Sequence, residues 1–394
     1  MTGGVRKPCI CIATSTRADW GLLRPVAESL RDSGLVDLRI LATNMHLLER
    51  YGMTVDEITS AGFDVDARVP IDEAGDSETA RARAMAQCLA GTADALADMR
   101  PDTIIILGDR YEMLAVASAA AVMRVPIIHI AGGEISEGAV DDSMRHAITK
   151  LSALHLTATE PYRRRVIAMG EQPERVINTG AIGVWNVVNR PMMSRDELTD
   201  NLGIARGKDF VVATFHPATL DDADPAEGCR AMLDAIDRLS DMHVILTYPN
   251  NDARSAGIID EIERYAASHS DRVTLVKSLG MARYLPAITY ARAVIGNSSS
   301  GIVEVPSAGT PTVDIGIRQR GRLAGKSVIH CGTTADEIYD AIMLALSDDM
   351  QATAALRENP YCKPDTLDIM TCAILDFTAS LPVGPKKFYD IQQC

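Results

Sequence analysis

Short uninterrupted apolar runs recur along the chain, each followed by a longer stretch with helical spacing. This pattern constrains the fold more than any other feature. In the first half CICIAT (9–14), LRILAT (38–43), TIIIL (103–107), VPIIHI (125–130), LHLTAT (154–159) and Val176–Thr179 read as strands, with helices at 18–30, 77–99, 111–123 and 142–151. A strand apolar at every position is buried on both faces, as in a parallel sheet covered by helices. The pattern breaks over 186–207, which holds Pro191, Gly203, Gly207 and a capping box at Ser194-Arg-Asp-Glu197. It then restarts with FVVATF (210–215), HVILTY (243–248), VTLV (273–276), AVIG (293–296) and TVDI (312–315). The intervening helices fall at 227–239, 255–268, 281–290 and 299–308, and a Thr334-x-x-Glu337 box opens one at 335–347. The expected fold is α/β: two Rossmann-like parallel-sheet domains, 1–190 and 208–364, facing across a cleft.

The chain has 394 residues, 47% of them apolar, enough for two buried cores. A net charge of −14 argues against a nucleic-acid binder, which needs a basic face, and against an anionic membrane surface. No apolar run reaches membrane-spanning length, and Cys9–Thr14 is too short for a signal-peptide core. The eight cysteines form no C-x-x-C pair, so reduced thiols, a cytoplasmic protein and no metal site are expected.

Open parallel sheets bind ligands beyond the carboxyl ends of their strands. The polar residues there are Ser15–Asp19, Gly108-Asp109-Arg110, Gly132-Gly133-Glu134, His216-Pro217, Pro249–Asp252 and Gly296–Gly301. Gly296-Asn-Ser-Ser-Ser-Gly301, between strand and helix, suits a phosphate, or else is a serine cap with turn glycines. It lacks the Gly-Lys-Ser/Thr of a nucleotide triphosphatase, and no G-x-G-x-x-G follows the first strand, so no cofactor is expected. Arg17 can meet a phosphate or point to solvent. Glu304 can accept two ribose hydroxyls, or merely complement a helix N-terminus. Asp109, Glu134, Asp141 and Asp142 follow strands of the first domain, and carboxylates sharing a pocket make acid/base catalysts. Each alone could be a helix cap. Arg110, Arg145 and His146 are near them in sequence, and His216 could stabilise a departing phosphate. His129 and His155 lie within strands and read as core.

With those residues in hand, the chain resembles the hydrolysing UDP-N-acetylglucosamine 2-epimerases of bacterial sialic-acid biosynthesis. The matching segments are TRADWGLL (16–23), LGDRYEMLAV (107–116), HIAGGE (129–134), VDDSMRHAITKLSALHLTATE (140–160), FHPATL (215–220), PNNDA (249–253), IGNSSSGIVEVPSAGTPTVDIGIRQRGR (295–322) and KFYDI (387–391). The resemblance implies a glycosyltransferase-B type fold, a helix and tail over 365–394 returning to the first domain, and UDP in the cleft. It implies that UDP-N-acetylglucosamine and water give N-acetylmannosamine and UDP. It matches Ser298, Ser299 and Arg17 to phosphate-binding positions, Glu304 to the ribose, Asp109 to a catalytic carboxylate and His216 to the departing diphosphate. Asp19, Arg110, His146, Asn250, Asn297, Ser300, Gly301 and Arg318 are expected to line the UDP-sugar site. Where the animal bifunctional enzymes carry a catalytic glutamate in HIAGGE, this chain has Ala131. Glu134, Glu137, Asp141 or Asp142 would then take over. Rival readings are a hydrolysing 2-epimerase of nucleotide-linked N,N'-diacetylbacillosamine, a glycosyltransferase, and a silent nucleotide-sugar sensor. A homodimer or homotetramer is the expected assembly.

Overall fold

The computed structural model describes residues 6–72, 75, 77–382 and 384–391. Two compact units make up the chain. The first comprises Met1–Glu134, Asp141–Ile182 and Lys363–Cys394, and the second Ile135–Val140 and Gly183–Cys362.

The first unit is built on seven parallel strands: β1 (Cys9–Thr14), β2 (Asp37–Thr43), β3 (Ala67–Val69), β4 (Thr103–Leu107), β5 (Ile127–Ile130), β6 (Leu154–Thr157) and β7 (Val176–Asn178). Their order is β3-β2-β1-β4-β5-β6-β7. Successive side chains point to opposite faces of a strand, and both faces of β1 are dry. Cys11 and Ala13 join Ile104, Ile106, Cys88 and Val116 in one core, while Ile10 and Ile12, turned the other way, are also fully buried. Helix Thr366–Ala379 belongs to this unit and packs on helix Arg17–Ser33, where the Thr371 hydroxyl donates to Ser29 Oγ at 2.9 Å.

The second unit has six parallel strands: β8 (Phe210–Thr214), β9 (His243–Thr247), β10 (Val273–Val276), β11 (Val294–Gly296), β12 (Thr312–Ile315) and β13 (Val328–Cys331), ordered β10-β9-β8-β11-β12-β13. Val211, Ala213, Val244, Leu246, Ile295 and Val313 face one core. Phe210, Val212, Ile245 and Val294 face the other. In both sheets the order reverses beside the first strand, between β1 and β4 and between β8 and β11. Such a switch point opens a crevice past the strand ends, the usual ligand position in an open parallel sheet.

Some details differ from the sequence reading. Strands β3 and β13 were not foreseen; both are sheet edges of three and four residues with mixed exposure, so no continuous apolar run marks them. The helix expected over 299–308 is two pieces, Ser299–Val303 and Val305–Ala308, broken at Glu304. Pro306 explains the break, because it has no N–H to donate and its ring crowds the carbonyl one turn back. The second unit begins at Gly183 rather than after 190, and it takes in Ile135–Val140. That loop is held by its backbone. Glu137 N donates to Arg320 O at 3.0 Å, and Gly138 O accepts from Leu220 N at 3.2 Å. Val140 N donates to Thr219 Oγ1 at 2.9 Å. Gly138 lies so close to the chain that a Cβ would sit 2.6 Å from Ile317 O.

The seven described cysteines are all free, and Cys394 lies outside the described residues. No helix among the described residues is long and apolar enough to cross a membrane.

Candidate active site

In the first unit the polar loops after β1, β4 and β5 carry the residues of interest. After β1, Thr16 and Asp19 form a capping box at the head of helix Arg17–Ser33. Asp19 accepts from the Thr14 hydroxyl at 2.6 Å, from Thr16 N at 2.9 Å, and from both Ser15 N and the Ser15 hydroxyl at 2.9 Å. Its part is therefore to shape the turn that presents Arg17, which stands half-buried at the first helical position.

Gly108 leaves β4 with φ +80°, and Asp109 and Arg110 follow before helix Tyr111–Val122. The fully buried His129 of β5 bonds the Gly108 carbonyl through Nε2 at 2.8 Å and meets the Thr149 hydroxyl through Nδ1 at 3.2 Å. Burial pushes this imidazole down to about 3, so it stays neutral and its role is to fix the loop. Its core position agrees with the sequence reading.

Arg145, with 1% of its side chain exposed, is the hub of the first-unit cluster. Its Nη2 bonds Asp109 Oδ2. Its Nη1 reaches Asp142 Oδ1 at 3.1 Å and the Glu134 carbonyl at 3.0 Å. Asp141 and Asp142 open helix Asp141–Leu151, and His146 Nε2 lies 3.6 Å from Asp142 Oδ2. Burial lowers the His146 pKa, and the charges of Arg145 and Arg165 act in the same direction against Asp142. One buried guanidinium thus gathers two carboxylates, each about a quarter exposed, beside a histidine. The Glu134 side chain is buried at the same place in the chain. Ala131 follows β5 directly, with φ +67°. Glu137 is exposed and lies on the loop that belongs to the second unit.

Arg110 Nε bonds the fully buried Glu112 at 2.6 Å, and the same oxygen accepts from Asn44 Nδ2 at 3.0 Å. Sequence spacing alone does not reveal this pairing, because Asn44 lies 68 residues from Glu112.

In the second unit β8 and β11 approach so closely at Gly296 (φ +135°) that a Cβ would overlap Thr214 O. Asn297, next in the chain, clamps the His216 backbone. Its Oδ1 accepts from His216 N at 2.7 Å and its Nδ2 donates to His216 O at 2.8 Å. The backbone N–H of Asn250 donates to His216 Nδ1 at 3.2 Å, so neutral His216 carries its proton on Nε2. Arg318 ties the same loops together, reaching Pro217 O at 3.1 Å, Asn297 O at 3.3 Å and Asp252 at 3.6 Å. Asn297 and Arg318 therefore position His216.

Ser298 stands at the N-cap of Ser299–Val303, yet its side chain makes no cap bond. The bland alternative for the serine run, a capping hydroxyl, is not realised. Ser300 instead bonds the Tyr284 hydroxyl and holds Glu304 by a side-chain bond. Desolvation raises Glu304 above the ordinary carboxylate range, against the Ser300 bond. Gly301 is packed against Thr312, whose hydroxyl donates to its carbonyl at 2.7 Å. Gly183 lies against the Glu304 carboxylate, where any Cβ would overlap Oε1. Sequence reasoning missed both Gly183 and Tyr284, since each acts through a partner more than fifteen residues away.

Two parallel-sheet α/β units with polar loops beyond their switch points are the architecture of the glycosyltransferase-B class. The chain belongs to the UDP-N-acetylglucosamine 2-epimerase family, whose model matches residues 28–374. It is 36% identical over 320 residues to the GDP/UDP-N,N'-diacetylbacillosamine 2-epimerase (hydrolyzing) of Campylobacter jejuni, covering 81% of this chain and 83% of that one. It is 34% identical over 385 residues to polysialic acid biosynthesis protein P7 of Escherichia coli, covering 98% of each. Among solved structures, the UDP-GlcNAc 2-epimerase of Neisseria meningitidis bound to UDP-GlcNAc has the same fold. Its TM-score is 0.77 at 16% identity, over 93% of this chain and 100% of that one.

Proposed function

We propose that the protein is a hydrolysing 2-epimerase of a UDP-linked 2-acetamido sugar, with UDP-N-acetylglucosamine as substrate and N-acetylmannosamine and UDP as products. The observation that carries this reading is the Asp109–Arg145–Asp142 cluster with His146, in a chain of the 2-epimerase family. The C2 hydrogen of the sugar is not acidic by itself. Departure of UDP from C1 develops oxocarbenium character that acidifies it, and a carboxylate takes the proton to leave a glycal. Water then adds at C1, and a second acid delivers a proton to C2 from the opposite face. Two acid/base groups are needed, and Asp109 with one of Asp142, Asp141, Glu134 or Glu137 supplies them. Arg17, His216 through Nε2–H, Ser298 and Ser299 would stabilise the diphosphate, and Glu304 would take the ribose. The exposed free thiols of Cys362 and Cys372 suit a cytoplasmic setting.

A second reading is favoured by the 36% relative from Campylobacter jejuni: the same chemistry on nucleotide-linked N,N'-diacetylbacillosamine, whose sugar carries a further acetamido group. Incubation with each donor in heavy water decides. Turnover of UDP-N-acetylglucosamine should release UDP and N-acetylmannosamine with one deuterium at C2, seen by NMR. UDP release from the diacetamido donor alone would establish the second reading. Nucleotide-sugar binding with no UDP release from either donor would reveal a sensor.

Two changes test the nucleotide half. Ser298→Ala with Ser299→Ala should weaken UDP binding by more than about tenfold by calorimetry, because each hydroxyl is assigned to a charged oxygen. Gly183→Ala should cost about tenfold in uridine nucleotide affinity, about 1.4 kcal/mol, with little change in melting temperature. The added methyl displaces a flexible carboxylate rather than the backbone. Unchanged affinity would remove Glu304 from the binding site.

A further inference from the structure

The KFYDI segment has no part in the chemistry above, yet it is tied to the helix that carries Asp142, Arg145 and His146. Glu171, 2% exposed, lies in the first unit among three basic groups: Lys150 Nζ at 2.6 Å, Lys386 Nζ at 2.7 Å and His155 Nε2 at 2.9 Å. Desolvation works against its charge, but the bonds from His155, Lys150 and Lys386 prevail and hold the carboxyl down at about 2. Lys150 is in the last turn of helix Asp141–Leu151. Lys386 also caps the end of that helix, donating from Nζ to Lys150 O at 2.6 Å and to Ser152 O at 2.7 Å. A cation there satisfies carbonyls that have no partner within the helix and complements its dipole.

The neighbouring residues make the attachment broader than one lysine. Tyr389 N donates to Gly170 O at 2.9 Å, and Gln172 Nε2 donates to Lys387 O at 3.4 Å. The Phe388 ring covers Gly170, leaving no space for a Cβ there. Lys150 Nζ stands 4.9 Å over the same ring. A helix of 11 residues is a rod of about 16 Å, so a shift at Lys150 is carried to Arg145, little more than one turn away, and to Asp142, about two turns away.

We propose that the segment 386–389 braces helix Asp141–Leu151 from its carboxyl end, and that Lys386 is a positioning residue for the carboxylate cluster at the other end. This rests on the proposed epimerase reading for its kinetic consequence. Arg145 must stay within bonding distance of Asp109 while proton transfer occurs, and misplacement by about 1 Å can cost up to about a hundredfold in rate. Nucleotide contacts in the second unit are untouched, so the brace should act on kcat and leave KM alone.

The test uses the full chain with Lys386→Met, Lys386→Arg and Phe388→Ala. Amide hydrogen exchange over 141–152 should be about tenfold faster in Lys386→Met and near wild type in Lys386→Arg. In the same preparations kcat should fall about tenfold in Lys386→Met with KM within twofold, and Lys386→Arg should restore most of it. Phe388→Ala, which removes only an exposed ring, should show the same trend at a few-fold level. It keeps the question open to experiment if Lys386→Met does not fold. Wild-type exchange and wild-type kcat in both Lys386→Met and Phe388→Ala would overturn the brace. A lowered melting temperature with unchanged kcat would overturn the positioning role. If the wild-type protein turns over neither sugar nucleotide, the epimerase reading fails, and the exchange measurement alone still decides whether the brace exists.

Discussion

Asp109→Asn is expected to abolish turnover while UDP affinity stays within about twofold of wild type. Amide replaces carboxylate with almost no change in volume, and the oxygen can still accept from Arg145 Nη2. The substitution removes a proton acceptor and little else. General acid–base groups contribute about 10²–10⁴-fold, so the expected loss in kcat is at least a hundredfold, about 2.7 kcal/mol of barrier. Steady-state UDP release and UDP calorimetry on the same preparation check both halves. A variant that keeps more than about a tenth of the wild-type rate would remove Asp109 from the proton-transfer pair and leave Asp142, Asp141, Glu134 and Glu137 as candidates.

Arg145→Met is expected to be the most damaging single change in the first unit, and in two separate ways. The guanidinium is 1% exposed and serves Asp109, Asp142 and the Glu134 carbonyl together. A methionine fills much of the volume but removes the guanidinium that both carboxylates share. Bonds to charged groups contribute about 1.5–3 kcal/mol each when buried. The carboxylates here are partly solvated, so a stability loss of about 2–3 kcal/mol is expected, a fall of several degrees in melting temperature. Turnover should fall at least as far as in Asp109→Asn, because both carboxylates lose their orientation. If Arg145→Met retains wild-type kcat, the cluster is a structural ion pair and proton transfer lies elsewhere.

The parallel sheets were legible because their central strands are apolar at every position, a signal that depends on composition alone. CICIAT became β1 and FVVATF became β8 with few changes at the ends. The capping boxes at Ser194 and Thr334 were likewise visible, since both partners lie within three residues. Edge strands β3 and β13 were hidden because most of their residues are only partly buried or exposed. At the candidate site the residue types were legible and their partnerships were not. Asp109 and Asp142 could be singled out as acids following strands, but their sharing of one arginine depends on how two loops are placed by the sheet. Asp19 and Arg318 stand out in the sequence as charged residues beyond strand ends, and the structure adds the bonds that tie each to neighbouring backbone. Gly183 carries no chemical signal, since its importance is the absence of a side chain beside Glu304.

The chain passes between the two units four times, after Glu134, Val140, Ile182 and Cys362. This has a consequence for how the molecule is made. During synthesis the amino-terminal sheet emerges early, but helix Thr366–Ala379, which covers helix Arg17–Ser33, and the brace at Lys386 do not exist until residues 183–362 have left the ribosome. The second unit can be completed first, although domains usually finish in order from the amino terminus. A chain truncated after residue 362 should therefore hold a protease-resistant second unit together with a first unit that is still readily cleaved. Neither unit corresponds to a single continuous stretch of gene.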